Sequence, residues 1–416
     1  MAPPSSAPRP PPDHQLCLDN IVSPSTRVDA RSRLATRLSF LVAGFGLACW
    51  APLVPFAKTR LAVDDGALGL LLLCIGLGSV TAMQFTGVLT SRFGSRLVIL
   101  VGGIGMAATL PLLSIAPTVA TMGATLLAFG AFLGVIEVAM NIHAVEVEKR
   151  AGRPLMSGFH ALFSIGGFAG AGLMTTALSA SVPALVGTLV ATVLMIVALI
   201  IAAPSFIATT KEDDTPLFVI PRGIVALLSL LTAITFLVEG AILDWSALLL
   251  TDAGLVAAAK GGVGYMVFAI AMTTGRLTGD AIVARLGDRR TMMLGGLLAV
   301  VGFGVLLVAP DAIIAMLGFL LIGLGASNIV PVLFRQAGAQ TAMPASLAVA
   351  AVSTIGYAGI LAGPAGVGFV AHAVGLPAAF TLLAVLLCLV PLCARCATAI
   401  GATSGDHCNR DEPDHS

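Results

Sequence analysis

The sequence predicts an all-α, polytopic membrane protein with twelve transmembrane helices in two pseudo-symmetric six-helix halves. The first observation is composition: 57% of the 416 residues are hydrophobic and only 10% are charged, whereas an average soluble domain is about 25% charged. The second is that the apolar residues form runs long enough to cross the ~30 Å hydrocarbon core of a bilayer as helices. The third is that features of the first half recur in the second at a constant spacing.

Twelve apolar runs follow one another from residue 34 to residue 400. Each is predicted to be a helix, because an open strand would leave its backbone hydrogen-bonding groups unpaired in lipid. The predicted spans lie near residues 34–57, 67–90, 97–115, 118–143, 155–180, 182–203, 223–250, 261–284, 290–309, 312–335, 344–373 and 376–400.

The polar segments divide the chain into five parts. Residues 1–33 are rich in Pro and Ser, too polar to pack, and predicted to be a disordered tail. Residues 34–203 and 222–400 are predicted to form the two six-helix bundles. The loop 204–221 joins them, and residues 401–416 form a second tail.

The distribution of basic residues predicts the orientation. If the N-terminus is inside, all but four of the 22 Lys and Arg residues fall in inner tails and loops; the exceptions are Lys58, Arg60, Lys260 and Arg276. Inner loops of membrane proteins carry an excess of Lys and Arg. Both termini are therefore predicted to be cytoplasmic. The protein is predicted to lie in the cell (inner) membrane.

The two halves contain a repeated loop, "GVLTSRFGSR" in the first and "GDAIVARLGDRR" in the second. Arg92 and Arg285 are 193 positions apart, as are Gly94 and Gly287. A fixed offset shared by several features indicates a duplication, which is typical of secondary transporters.

With these loops the chain resembles the major facilitator superfamily over residues 34–400, whose loop signature reads roughly G-x-L-[A/D]-D-R-x-G-R-[R/K]. Ser91 and Ala284 stand where the signature has Asp, and Asp280 takes the glycine position of the second copy. The resemblance implies a gating role for this region but not the usual ion pair built from that Asp. The candidate gating residues are Gly87, Arg92, Gly94, Arg96, Arg276, Asp280, Arg285 and Gly287.

Four stretches resemble narrower branches of that family. "GVIEVAMNIHA" looks like the fourth helix of the fucose–proton symporter branch, which carries Glu-x-x-x-Asn. "MSGFHALFSIGGFAGA", "FLVEGAILDWSALLL" and "VSTIGYAGILAGPAGVGF" resemble the MosC-like subgroup, associated with uptake of rhizopine, an inositol-type amine. The resemblance implies that the Glu of the first stretch is protonated during transport.

Glu137 and Asn141 are the leading site candidates. An acid at mid-helix costs roughly 2.5–3.5 kcal/mol on membrane-insertion scales, so it must be paired, face water or have a function. Residues four apart lie on one helix face, and burial favours the neutral form of a carboxyl. Glu137 is therefore predicted to be the proton-coupling site, with Asn141 in the solute site. A Glu held by a neighbouring helix for packing is the alternative.

Three other ionisable residues lie inside predicted spans. His160 suits a proton relay because imidazole titrates near neutral pH, and a hydrogen-bonded packing histidine is the alternative. Glu239 is central in its helix and can face the cavity, which makes it a second proton-coupling candidate. Asp244, a further candidate for the solute site, lies nearer the outer surface, where a gate and a simple hydrogen bond are the alternative roles.

Trp50 and Trp245, the only tryptophans, occupy matching places in the first helix of each half. They either anchor the outer interface or close over a solute. Asn328 lies in the region of the second half that corresponds to the region of Glu137 in the first, where Val330 is the aligned residue, and it offers a further polar contact. Arg276 and Asp280 are four apart and can form a structural or gating ion pair within one helix; contact with an anionic ligand is the alternative. The charges after Glu137 are predicted to form a solvated helix end: His143, Glu146, Glu148, Lys149, Arg150 and Arg153.

Several function classes are excluded. None of the four lysines follows a glycine, so there is no Walker A phosphate loop. A net charge of +1 without a basic stripe gives no case for nucleic-acid binding. Cys393-x-x-Cys396 lacks a second ligand pair for a metal. We expect no enzyme activity, no cofactor and no metal, and a monomer in the lipid bilayer.

The sequence thus predicts a secondary transporter that moves a small polar, sugar- or inositol-like solute together with protons. Proton-driven efflux of amphipathic compounds is an alternative, although only 6% of the residues are aromatic. A membrane sensor that transports nothing is a third hypothesis.

Overall fold

The computed structural model describes three stretches of the chain: residues 30–207, 220–257 and 262–398. Every regular element in these stretches is a helix. Most of the predicted N-terminal tail, of the joining loop and of the C-terminal tail lies outside the described residues. The first helix begins at Ala30, before the predicted residue 34.

The N-terminal helices precede the joining loop. Two of them begin with a side-chain cap: the Asp64 side chain accepts from the Ala67 N–H at 2.8 Å, and Thr118 and Thr121 form a capping box. A 3-10 turn containing Pro52 separates the first two. The helices are α1 (Ala30–Trp50), α2 (Val54–Leu61), α3 (Asp65–Phe93), α4 (Ser95–Ile115), α5 (Val119–Ala151), α6 (Met156–Ser179) and α7 (Ala184–Ala202).

The C-terminal helices follow the joining loop. Asp311 caps its own helix, accepting from the N–H groups of Ile313 and Ile314 at 2.9 and 3.0 Å. The helices are α8 (Ile224–Asp252), α9 (Val263–Leu307), α10 (Ala312–Ala326), α11 (Ile329–Ala339), α12 (Ala345–Val374), α13 (Leu376–Leu387) and α14 (Leu389–Ala397).

Eleven helical segments of the described chain are long and apolar enough to cross a membrane, where twelve were predicted. The difference arises at α9, a 45-residue helix that covers most of both predicted spans, 261–284 and 290–309. Its only break is one non-helical residue, Gly287, with φ 76° and ψ 163°. Because the helix resumes directly after this residue, α9 counts as one segment.

Gly94 and Gly287, paired by the sequence repeat, have the same unusual backbone conformation. Gly94, between α3 and α4, has φ 83° and ψ 149°, close to the values at Gly287. Both lie in a region of φ and ψ that is essentially restricted to glycine. The two copies of the loop motif therefore share their backbone geometry as well as their residues.

We expect Gly287→Ala to destabilise the protein by about 1–3 kcal/mol, because a Cβ is strained at this φ and ψ. Space is not the reason, since a Cβ at this position meets nothing within 4 Å. Thermal unfolding in detergent measures the effect. The matched control is Gly304→Ala in the same helix, also in open space but at helical φ, where Ala is the better helix former. Equal melting temperatures for the two variants would contradict the strain argument.

Helix packing brings the N-terminal and C-terminal helices together along two seams. Among the N-terminal helices α3 packs on α5 and α1 on α6; among the C-terminal helices α9 packs on α10 and α8 on α12. The seams between the two groups are α3 against α12 and α6 against α9. The α1–α6 approach depends on Gly166 and Gly170, where a Cβ would collide with the backbone of Leu41 and Phe45.

Candidate functional site

Glu137 and Asn141 lie together inside the bundle, on α5. Their exposed fractions are 7% and 1%. The Asn141 side-chain N–H donates to the backbone carbonyl of Glu137 at 2.8 Å. This hydrogen bond is to the backbone of α5 and not to the Glu137 carboxyl. Glu137 Oε1 and Asn141 Oδ1 have no hydrogen-bond partner in the part of the chain that the structure describes. The site therefore contains two buried oxygen acceptors that are free to bind a proton or a ligand.

Tyr357 of α12 is the neighbour of Glu137 that sequence reasoning missed. Its hydroxyl lies against the Glu137 carboxyl, across the space between the N-terminal and C-terminal helices. It also interacts electrostatically with Glu239. A signal was present, since the chain has only two tyrosines and both interrupt apolar runs.

Arg276 of α9 forms an ion pair with Glu239 of α8, with 3.4 Å between Nη2 and Oε1. The Arg276 and Glu239 side chains are only 8% and 19% exposed. Arg276 Nη1 also donates to the Ser164 hydroxyl of α6 at 3.0 Å. The guanidinium thus links helices from both groups and leaves its Nε–H without a partner among the described residues.

The predicted pairing of Arg276 with Asp280 is wrong. Asp280 instead accepts from the backbone N–H groups of Ser157 and Gly158, at 3.0 and 3.1 Å. Spacing on one helix allows the pair, but the Arg276 guanidinium pairs instead with the buried Glu239 carboxylate of α8. The Asp280 carboxylate binds two N–H groups at the start of α6 that have no partner within that helix. Both groups find partners on neighbouring helices.

His160 lies at the base of this region, one turn before Ser164 on α6. Its ring packs between Phe40 and Phe334, with centroid distances of 5.2 and 5.7 Å. It is 8% exposed, and its Nε2 has no hydrogen-bond partner in the described chain. The packing role predicted as an alternative is present, and the free nitrogen leaves the relay role open.

A central polar cluster emerges from these contacts. Tyr265 of α9 interacts electrostatically with Glu239, Arg276 and Asp244, and it joins the ion pair to the region that Asp244 occupies. Asp244 itself is exposed on α8. We define the cluster as the residues inside the bundle that are linked by a hydrogen bond, an ion pair or an electrostatic interaction: Glu137, Ser164, Glu239, Tyr265, Arg276 and Tyr357.

The remaining candidates for the solute site lie in separate places. Trp50 is buried, 4% exposed, which is not the position of a residue anchored in the lipid interface. Trp245 is half-buried with its ring edge against Gly368 of α12. Asn328, at the break between α10 and α11, donates to the Gly275 carbonyl at 3.2 Å and leaves its Oδ1 without a partner in the described residues.

We call the end of the bundle that contains the start of α6 and Gly287 the motif end. A second polar network lies there. Arg335 of α11 bonds both to Glu148 of α5 and to Asp288, and Gln336 donates to Asp288 at 2.6 Å. Glu148 also accepts from the N–H groups of Leu155 and Met156, at 2.6 and 2.8 Å. This network again connects N-terminal with C-terminal helices.

The prediction of a wholly solvated end for α5 is therefore wrong in part. Glu148 is 6% exposed, and His143 is completely buried between the Thr36 hydroxyl and the Ile207 N–H. Only the outer turn behaves as predicted, with Glu146 and Arg150 in a surface pair at 2.6 Å. Glu148 and His143 contact residues far away in the sequence, and these contacts are not visible in the local sequence.

The other candidate gating residues are placed differently from the network. Arg92, Arg96 and Arg285 are exposed and have no ion pair with any described residue. Gly87 packs against α12, where a Cβ would lie 2.9 Å from the Ala350 side chain. Charged contacts between the two helix groups at this end thus involve Glu148, Asp280 and Arg335.

Comparisons with known proteins fit this architecture. The model of the Major Facilitator Superfamily matches residues 38–342. An uncharacterized MFS-type transporter of Yersinia pestis is 50% identical over 88% of this chain and 96% of its own length. The membrane protein MosC of Rhizobium meliloti is 29% identical over 82% of this chain and 84% of its own.

Among solved structures, the fold is similar to that of FucP in the outward conformation. The TM-score is 0.73 at 14% identity, covering 89% of this chain and 99% of FucP, which is the fucose:proton symporter of E. coli. At this identity the match shows the fold alone. The family match, the close relative and the shared fold agree: the chain belongs to the Major Facilitator Superfamily of membrane transporters.

Proposed function

We propose that this transporter moves a small polar, sugar- or inositol-like solute together with protons, by alternating access. The observation that carries the proposal is Glu137, a buried carboxyl with one oxygen unpartnered, lying against a tyrosine on the opposite group of helices. A carboxyl in this position changes the charge of the site when it binds or loses a proton. It also contacts both parts of the protein that must move.

The charges of the central polar cluster support proton coupling at Glu137. Arg276 and Glu239 neutralise each other, which leaves Glu137 as the uncompensated acid. An unpaired ionised carboxylate is costly away from water. Protonation of Glu137 therefore makes the cluster neutral. During alternating access the protein passes through a form that is closed at both ends, and this form favours the protonated acid.

The unpartnered polar atoms support a polar solute. Asn141 Oδ1 and Asn328 Oδ1 are spare acceptors, and Arg276 Nε–H is a spare donor. A site with unpaired buried donors and acceptors favours a ligand that satisfies them and rejects an apolar analogue. A hydroxylated solute offers both donors and acceptors. FucP, a fucose:proton symporter, is a precedent on the same fold.

The proposed topology has twelve spans in two six-helix halves, 34–203 and 222–400, with both termini cytoplasmic. Gly287 divides α9 into two spans, just as Gly94 separates α3 from α4. The concentration of Lys and Arg at the motif end supports a cytoplasmic location for that end. The protein then lies as a monomer in the cell (inner) membrane.

Tyr357→Phe tests the hydroxyl beside Glu137. We expect folding to be retained, because the ring keeps its edge-on contact with Phe236 at 5.9 Å, while the pH dependence of solute binding shifts. Solute affinity measured across a pH series reports the effect. Tyr265→Phe is the matched control, since that hydroxyl interacts with Glu239 and not with Glu137. An identical pH profile in Tyr357→Phe and wild type would remove Tyr357 from the proton site.

A ligand thermal-shift screen tests the solute class. The purified protein is heated at about pH 6 and about pH 8 with hexoses, deoxyhexoses, inositols, amino-inositols and lipophilic cations, because a ligand that binds the folded state raises its melting temperature. We expect stabilisation by a sugar or polyol, dependent on pH, and loss of that dependence in Glu137→Gln. Stabilisation by lipophilic cations alone would favour proton-driven efflux and contradict the proposal.

A further inference from the structure

His143 of α5 connects three parts of the N-terminal bundle through its two ring nitrogens. Nδ1 lies 3.1 Å from the Thr36 hydroxyl of α1, and Nε2 accepts from the backbone N–H of Ile207, after α7, at 3.0 Å. The His143 and Thr36 side chains are fully buried, and buried polar groups need hydrogen-bond partners. Both nitrogens thus have a partner, and each partner comes from a distant part of the chain.

These hydrogen bonds fix the imidazole in one neutral form. A backbone N–H can only donate, so Nε2, which faces the Ile207 N–H, carries no proton. The Thr36 hydroxyl gives its own hydrogen to the Ser32 carbonyl at 2.9 Å, so it accepts from Nδ1–H. An imidazolium does not fit, because its Nε2–H would face another donor. The contact with Ile207 therefore depends on the contact with Thr36.

The chain that follows α7 packs against this histidine. A 3-10 turn, Ala203–Ser205, packs on α1. Phe206 is then extended and only 6% exposed, and its ring meets the His143 imidazole edge-on at a centroid distance of 5.1 Å. We call residues 203–207 the strap. The predicted joining loop thus begins with residues that are packed into the N-terminal bundle.

The equivalent position in the second half of the repeat makes a different contact. At the spacing of 193 positions, Gln336 of α11 corresponds to His143. Gln336 is also buried, but its side-chain N–H donates to Asp288 of the loop motif at 2.6 Å. The repeated fold therefore does not itself require the strap contact. That contact occurs in the half whose last helix leads into the other half.

We propose that His143 is a positioning residue that makes the strap part of the N-terminal bundle, so that the connection between the two groups of helices starts after Ile207 and not at the end of α7. Fully extended, the five strap residues would reach about 17 Å, and this length is withheld from the connection. The inference goes beyond the proposed function: it rests on alternating access but on neither the solute nor the coupling ion.

Amide hydrogen exchange of the strap tests this anchor in the full-length protein in detergent. His143→Asn is too short to reach the Ile207 N–H, whereas His143→Gln can place its side-chain oxygen near the position of Nε2. We expect the strap amides to exchange about fivefold faster in His143→Asn than in the wild type, which corresponds to one lost hydrogen bond. In His143→Gln they should exchange at nearly the wild-type rate.

Thr36→Val tests the anchor without changing the histidine or the strap. Without the Thr36 hydroxyl, Nδ1–H loses its acceptor and the neutral form that binds Ile207 is no longer fixed, so the strap amides should again exchange faster. Thr192→Val is the matched control. It removes a 2.8 Å hydrogen bond from α7 to the Ala107 carbonyl of α4, away from the strap, and should leave strap exchange unchanged.

Gly87→Trp tests whether the strap stays with the N-terminal bundle when the motif end opens. A Cβ at position 87 already lies 2.9 Å from the Ala350 side chain, so an indole forces α3 and α12 apart. Spin labels at positions 153 and 289, both exposed, report the opening after replacement of the seven native cysteines. We expect a longer distance between the labels and wild-type exchange of the strap amides.

Equal strap exchange in the wild type and His143→Asn would overturn the proposal. Equally fast exchange in Thr192→Val would also overturn it, because the effect would then follow from a general loss of stability. Loss of strap protection in Gly87→Trp would show that the strap depends on the closed arrangement and does not belong to the N-terminal bundle. Since no readout involves transport, these failures are distinguishable from failure of the proposed function.

Discussion

Glu137→Gln abolishes accumulation of the solute against its gradient and leaves exchange of internal for external solute intact. Gln has the size of the protonated acid but cannot release a proton, so the site remains permanently neutral. The neutral site still binds and carries solute, while the proton gradient no longer drives net uptake. Uptake and counterflow into proteoliposomes, with and without an imposed pH gradient, measure the two activities.

Glu146→Gln is the matched control for this prediction. Glu146 is on the same helix but pairs with Arg150 at the surface, and surface ion pairs contribute little to stability. Its variant should accumulate solute as the wild type does. Full accumulation by Glu137→Gln would assign proton coupling elsewhere, and Glu239, the other carboxyl of the central polar cluster, would be tested next.

Glu239→Gln causes a large loss of stability together with loss of transport. Removing one member of a buried ion pair leaves the other charge uncompensated, which costs about 3–5 kcal/mol. Arg276 keeps only the Ser164 hydroxyl as a described partner in this variant. Thermal unfolding of the purified protein measures the stability, and proteoliposome uptake measures the transport.

The double variant Glu239→Gln, Arg276→Gln separates structure from function. With both charges removed, no buried charge is unpaired, and we expect most of the lost stability to return. Transport should stay lost, because the Arg276 guanidinium connects α6, α8 and α9 through Ser164 and Glu239. A double variant that transports normally would show that the pair is only structural.

The sequence predicted the helices well because membrane spans are encoded locally. Each span needs its own run of apolar residues, and the runs are visible without knowledge of packing. The break at Gly287 was placed by the loop repeat, and its backbone conformation is one that glycine adopts. The buried acids were also found locally, because Glu137 and Glu239 interrupt apolar runs that are otherwise nearly uncharged.

The partners of those residues could not be predicted, because they depend on which helices become neighbours. Glu148 and Arg335 are 187 positions apart, and the pairing of Arg276 with Glu239 joins two helices. Spacing along one helix suggested a pairing of Arg276 with Asp280. This pairing is sterically possible, but both residues bind partners on other helices instead. Tyr357 was missed for a related reason: its importance comes from facing Glu137 across the bundle.

In the proposed mechanism the two polar regions have different roles. The central polar cluster combines the proposed proton site with unpartnered donors and acceptors, and the motif end joins the N-terminal and C-terminal helices through Asp280 and Arg335. Between them lies the packed layer of Phe40, His160 and Phe334. Opening at the motif end therefore requires separation of both this layer and the charged contacts.

The measurement that tests proton coupling most directly is solute-driven proton movement in proteoliposomes that contain a pH-sensitive dye. No pH gradient is imposed, and the solute identified by the thermal-shift screen is added to one side. We predict that protons move with the solute, in the same direction, for the wild type and for Glu146→Gln but not for Glu137→Gln. Solute uptake by the wild type without any change in internal pH would contradict proton-coupled transport.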